Sequence, residues 1–170
     1  MFERVRSAGI ETCLDINWDP EWSVAGNRER IRQRCGQLRR ILPLVHHAHG
    51  NERELGFFTA CENVRGACRF LIDHGCAEVV VHRGAGGAAS YTAEEGWVEV
   101  PAAPVDAEVC STGCGDVFCA AHMLLAGMPT VERLCASARI AADHLSGKRT
   151  LIPRLGGHRC PAREEHGVKQ

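Results

Sequence analysis

Apolar and polar residues alternate along Ile10-Glu11-Thr12-Cys13-Leu14-Asp15-Ile16, and turn-prone Asn17, Asp19 and Pro20 follow; this predicts a strand. After Gly26-Asn27, Ile31, Cys35, Leu38 and Leu42 recur at helical spacing. Leu44 to Ala48 reads as a short strand stopped by Gly50. Asn51 then caps a short helix, with Glu54 three residues on. Val64, Cys68, Leu71 and Ile72 mark a further helix, closed by Gly75. The β-branched run in Glu78-Val79-Val80-Val81-His82 predicts a central strand. A Gly-rich turn, Gly84-Ala85-Gly86-Gly87, follows it. Ala88–Thr92 and Trp97–Val100, joined through Glu94-Glu95-Gly96, form a hairpin. Near the C-terminus, Val117, Ala121 and Leu124 share one helix face. Gly127-Met128-Pro129 breaks that helix, and Thr130 caps another with Val131, Leu134, Ala138, Ala142 and Leu145 on one side. The stretch from 156 to 170 has no periodic run and reads as a loose tail.

Strands alternating with helices imply a three-layer α/β sheet with helices on both faces. Right-handed crossovers make the early strands parallel, and the hairpin adds an antiparallel edge. Ligands of such sheets sit beyond the carboxyl ends of the strands. Asp15-Ile16-Asn17, Gly50-Asn51, Gly84 and Asp116 all fall at that end.

Charge changes the picture by exclusion. The 170 residues carry a net charge of -1, and the sequence pI is about 6.7. No basic field points to nucleic acid or to an anionic membrane. No apolar run approaches the ~20 residues that span a bilayer, and Met1 to Arg6 has no signal-peptide core. The expectation is a cytoplasmic protein. Of the 10 cysteines, Cys35, Cys68, Cys119 and Cys135 sit at apolar helix positions, as reduced thiols packing like small hydrophobes. No Cys-x2-Cys pair exists, Cys110, Cys114 and Cys119 have the wrong spacing, and His46-His47-Ala48-His49 lacks a partner set. A structural zinc site is therefore not expected.

The run Cys110-Ser111-Thr112-Gly113-Cys114-Gly115-Asp116 carries most of the chemistry. Its glycines let the backbone turn sharply at the start of an apolar helix. The first helical turn leaves N–H groups unpaired and favours negative charge, which makes an anion site. Asp116 lies in the same turn. A carboxylate there repels a bound phosphate, yet it can take a proton from a hydroxyl that attacks phosphorus. On its own the run reads equally as a helix N-terminal charge after a glycine turn.

The run resembles the Asp-Thr-Thr-Gly-Ala-Gly-Asp signature of the PfkB (ribokinase-like) carbohydrate kinases. Three further segments keep that family's order. Asn51-Glu52-Arg53-Glu54 is similar to its Asn-x-x-Glu motif. Asp15-Ile16-Asn17-Trp18 is similar to its Asp-x-Asn-aromatic strand end, with Asp19 where Arg is frequent. Val81-His82-Arg83-Gly84-Ala85-Gly86-Gly87 resembles a strand ending in Lys-x-Gly-x-x-Gly, with His82 in place of Lys.

The resemblance implies a ribokinase-like α/β fold and transfer of the ATP γ-phosphoryl group to a sugar hydroxyl. Asp116 would be the base, and Gly113, Cys114 and Gly115 the anion hole. Thr112, Gly84, Gly87 and Ser137 would bind nucleotide. Asn51 and Glu54 would place Mg²⁺ through water, and Asp15 and Asn17 would line the cleft. Cys110 stands where many members use Asp to hold a monovalent cation. A thiol suits K⁺ poorly, so that activation is not expected. Family members are substantially longer at the N-terminus, in the part that supplies a lid and most sugar contacts. The implied organisation is a partial kinase core over 1–153, truncated at its N-terminus, and a loose polar tail over 154–170. A non-catalytic nucleotide-binding fragment is the alternative. Expected partners are a sugar, ATP and either a second copy or a complementing N-terminal half.

Overall fold

The computed structural model describes residues 2–17, 24, 26–107 and 111–148. A short helix α1 (Phe2–Ser7) leads to β1 (Cys13–Asp15). There follow α2 (Arg28–Arg39), β2 (His47–Asn51), α3 (Glu52–Thr59), α4 (Val64–Asp73) and β3 (Glu78–His82). The hairpin strands β4 (Ala88–Thr92) and β5 (Gly96–Val100) precede α5 (Cys114–Leu124) and α6 (Thr130–Leu145). The five strands lie in sequence order. β1, β2 and β3 are parallel, and β4 and β5 continue the sheet antiparallel.

The two faces differ in chemistry. Strand alternation sends Ala48, Val79, Val81 and Ala89 to one face, where Ile31, Cys35, Leu55, Phe58, Cys68 and Leu71 cover them. Val80, Ala88 and Val100 point to the other, under Phe118, Leu134 and Ala138. β3 is buried on both faces, which is why its run is continuously apolar in the middle. Helices on both faces complete the three expected layers.

The second face is also polar. Glu78, only 4% exposed, accepts from His47 Nδ1 at 2.8 Å and from the Ser90 hydroxyl at 2.6 Å. Arg133 Nη2 donates to both Glu78 oxygens, at 2.7 and 2.8 Å. Burial alone would push the Glu78 pKa up. The bonds from His47 and Ser90 and the nearby positive charge outweigh it and hold the carboxyl down to about 2. This network ties α6 to the middle of the sheet.

Several boundaries differ from the sequence reading. β1 is only three residues long, because Thr12 spends its hydroxyl on the Leu44 carbonyl and its N–H on His46 Nδ1 rather than on a ladder. The strand expected at Leu44–Ala48 starts at His47 instead. Pro43 directs Leu42–Leu44 into a 3₁₀ turn, and the strand then runs through Gly50 to Asn51. On α5 the buried positions are Phe118, Ala121 and His122, and Leu124 is 68% exposed, so the inner face is turned from the expected one. Pro129 rather than Thr130 is the N-cap of α6, and Val131 is exposed. Cys35 and Cys68 are buried thiols as expected, and Cys119 is a half-buried one. Cys135 departs from that reading and is disulfide-bonded. Trp18, Asp19, Cys110 and the tail lie outside the described residues.

Candidate functional site

Parallel strands end together, and the segments that leave them build one cavity of about 1000 Å³. Asp15 and Asn17 enter it from the end of β1, Asn51 and Glu54 from the β2–α3 junction, and Gly84 and Gly87 from the turn after β3. Gly113, Cys114, Gly115 and Asp116 line it from the start of α5. Two predicted residues stand apart. Ser137 is fully buried, with its hydroxyl given to the Arg133 carbonyl, so its side chain does not reach the cavity. Its neighbours Ala138, Ala141 and Ala142 line it instead. Thr112 is exposed and does not line it; its carbonyl faces His144 Nε2 at 3.0 Å.

The start of α5 is shaped by glycine. Gly113 is the N-cap at φ +80, a left-handed conformation that side chains rarely adopt. Among the described residues no side-chain hydrogen bond caps the helix; the Cys114 N–H donates to the Ser111 carbonyl at 3.3 Å, and the helix N-terminus as a whole favours negative charge. His144, in the last turn of α6, holds the preceding carbonyl and fixes the loop. Gly115 packs on His82: a Cβ there would lie 3.4 Å from His82 Nδ1.

Acidic groups gather at the floor. Asp15 is pushed up to about 6, first by burial and then by the charges of Asp116 and Glu54. Burial pulls His82 down to about 4, against the charge of Asp116, so the imidazole facing Gly115 is neutral at pH 7. A neutral ring donates or accepts a hydrogen bond without adding charge. Its place in the cavity wall was not assigned from the sequence, where it stood only as a replacement for Lys. His144 was missed altogether, because nothing in the sequence links it to Thr112.

Asn51 and Glu54 form a complete capping box. The Asn51 side chain accepts the Glu54 N–H at 2.9 Å, and the Glu54 carboxylate accepts the Asn51 N–H at 2.7 Å. Glu54 is buried in the cavity wall. A carboxylate there can also hold a hydrated divalent cation, since Mg²⁺ keeps several waters and needs few protein oxygens. Gly87 is required for a different reason: a Cβ would meet the Val100 carbonyl oxygen at 2.0 Å. The close approach is to the end of β5. Gly84, at φ +54, has open space around it.

Glycine-turned backbone lies beside a carboxylate at the C-terminal ends of parallel strands, where ligands of α/β sheets sit. Residues 24–144 match the pfkB family carbohydrate kinases, and the chain belongs to that family. None of the curated proteins matches it significantly. Solved structures share the ribokinase-like fold. A PfkB protein from Polaromonas sp. JS666 is 26% identical with a TM-score of 0.69, over 89% of this chain and 47% of its own. Aminoimidazole riboside kinase from Salmonella enterica is 27% identical with a TM-score of 0.63, over 86% and 48%. A protein from E. coli described as a ribokinase II, solved with ATP and Mg²⁺, is 24% identical with a TM-score of 0.71, over 85% and 45%. The chain thus spans about half the length of the kinases it matches.

Proposed function

We propose that this chain forms the nucleotide-binding part of an ATP-dependent carbohydrate kinase, with a sugar hydroxyl as acceptor. The observation that carries the reading is Asp116 in the first turn of α5, directly after the left-handed Gly113 and inside the shared cavity. Asp116 takes the hydroxyl proton as the oxygen attacks the γ-phosphorus. The amides of Gly113, Cys114 and Gly115 stabilise charge on the phosphate oxygens. The turn holding Gly84 and Gly87 serves the nucleotide side. Mg²⁺, held through water by Asn51 and Glu54, would neutralise phosphate charge. Asp15 and Asn17 close the cleft floor.

The ATP and Mg²⁺ assignment draws on the E. coli relative, which carries both. The need for ATP favours a cytoplasmic setting. Because the chain spans about half of the matched kinases, the sugar site is proposed to be completed by further protein, either a second copy or a complementing N-terminal half. The same half-length coverage favours a second reading, a nucleotide-binding module without turnover. A coupled ADP-release assay over a sugar panel, run with and without the N-terminal half of a related kinase, separates the two. Sugar-dependent ADP release supports the kinase. Titration of Mg·ADP with heat but without turnover under every condition supports the binding module. Absence of heat with any purine nucleotide at millimolar concentration refutes both.

A further inference from the structure

Beneath the cleft, on the sheet face that α5 covers, three side chains from three elements converge. Cys13 comes from β1, His49 from β2 and Cys119 from α5, and their ligating atoms lie within 4.8 Å of one another. The two sulfurs are 3.6 Å apart. A disulfide holds its sulfurs at about 2.05 Å, so they are not bonded. Two thiolates each about 2.3 Å from one tetrahedral zinc ion stand about 3.8 Å apart, close to the separation found here.

His49 adds an independent observation. It is completely buried, its Nδ1 lies 3.3 Å from His82 Nε2, and its Nε2 has no partner among the described residues. A buried polar atom without a partner costs about 1–3 kcal/mol. A ring held by a hydrogen bond at one nitrogen while the other is left over is also how a metal-ligating histidine is oriented. Negative charge nearby favours a cation: Asp15 lies two residues beyond Cys13, and both Asp15 and Asp116 act on Cys119.

We propose that Cys13, His49 and Cys119 bind a thiolate-preferring divalent cation, Zn²⁺, through two Sγ atoms and Nε2, with water in the fourth position. Two sulfurs select against Mg²⁺ and Ca²⁺, which prefer oxygen. Binding displaces the two thiol protons to solvent and forms two Zn–S bonds and one Zn–N bond, with no change of oxidation state. The site is separate from Asn51 and Glu54 and does not depend on the kinase reading. Its effect is mechanical. Among the described residues β1 is a three-residue strand at the sheet edge paired only with β2, and the ion would fasten it to the helix that carries Asp116.

The test uses the whole reduced, metal-stripped chain and Co²⁺ as a spectroscopic probe, without nucleotide. One equivalent should produce thiolate-to-cobalt charge-transfer bands and the intense visible bands of a tetrahedral site. Zn²⁺ should displace them and raise the thermal midpoint. Cys13→Ala and Cys119→Ala should each abolish them, and Cys61→Ala should leave them intact. Bands that persist in folded Cys13→Ala or Cys119→Ala overturn the assignment. If those variants do not fold, X-ray absorption of the zinc-loaded wild type decides: two sulfurs with one imidazole support it, and any other sulfur count overturns it. Absence of bands in the reduced wild type also overturns it, and a Cys13–Cys119 crosslink in the air-exposed chain would then identify a redox pair instead.

Discussion

The Glu54 carboxylate closes back on the backbone N–H of Asn51 at 2.7 Å, while Asn51 accepts the N–H of Glu54 in return. Both residues also line the cavity, so one pair has two roles to account for. Glu54→Gln separates them. The glutamine carbonyl keeps the cap, and a lost cap costs typically about 1 kcal/mol, so stability should shift by less than that. The charge that would hold hydrated Mg²⁺ is gone. The expected outcome is an unchanged melting temperature with weakened Mg²⁺ dependence of ADP binding, read by calorimetry at two Mg²⁺ concentrations. Equal Mg·ADP affinity in the variant would restrict Glu54 to the cap.

Asp116→Asn should remove turnover from any active form while ADP binding is kept. The amide is nearly isosteric but cannot accept the hydroxyl proton, and loss of a general base costs about 10²–10⁴-fold in rate. Single-turnover rates beside ADP titration read the two effects separately. Near-full activity in the variant would rule Asp116 out as the base.

Gly84 and Gly87 are three residues apart and should differ sharply as alanines. Both have positive φ, at +54 and +92, but only at Gly87 would a Cβ strike backbone, the Val100 carbonyl at 2.0 Å. Gly84→Ala should cost about 1 kcal/mol, the strain of a left-handed alanine. Gly87→Ala must also push β5 away from the turn and should lose clearly more, about 3 kcal/mol or above. Urea midpoints of the two variants test this, and equal losses would show that the turn relaxes freely.

Much of this architecture was readable because its signals are local. The Val79–Val81 run marks a strand buried on both faces, glycines mark the turns, and the Asn51–Glu54 spacing marks a helix start. Four cavity-lining segments could be placed at one end of the sheet from strand order alone. Phase and long-range polarity were not readable. Val117, Ala121 and Leu124 look like an inner face, but His122 takes an inner position near Glu78, and Leu124 turns outward. Ser137 looked available to nucleotide, and only the packing of α6 shows it bonded to Arg133. Cys13, His49 and Cys119 belong to three elements, so no spacing rule could group them.

Acid stability should report on Glu78. Its carboxyl is held from the ordinary 4.5 down to about 2, against the effect of burial, by bonds from His47 and Ser90 and by the charge of Arg133. A depressed carboxyl stabilises the fold fully above its unfolded value, and that contribution fades as pH falls toward the folded value. The fold should therefore lose stability between about pH 4.5 and pH 2. His47, raised overall by Glu78 and Glu11 against burial, acts in the opposite sense. Its contribution is complete below 6.5 and is lost as pH rises through the raised value, so it does not mask the acid limb. Glu78→Gln leaves Arg133 buried without its counter-charge, which costs about 3–5 kcal/mol at pH 7. The variant should also flatten the acid limb, because the titrating group is gone. Denaturant melts from pH 7 to pH 2 distinguish this from a packing defect: a variant that is less stable at pH 7 but keeps the wild-type slope below pH 4.5 would show that another carboxylate drives acid unfolding.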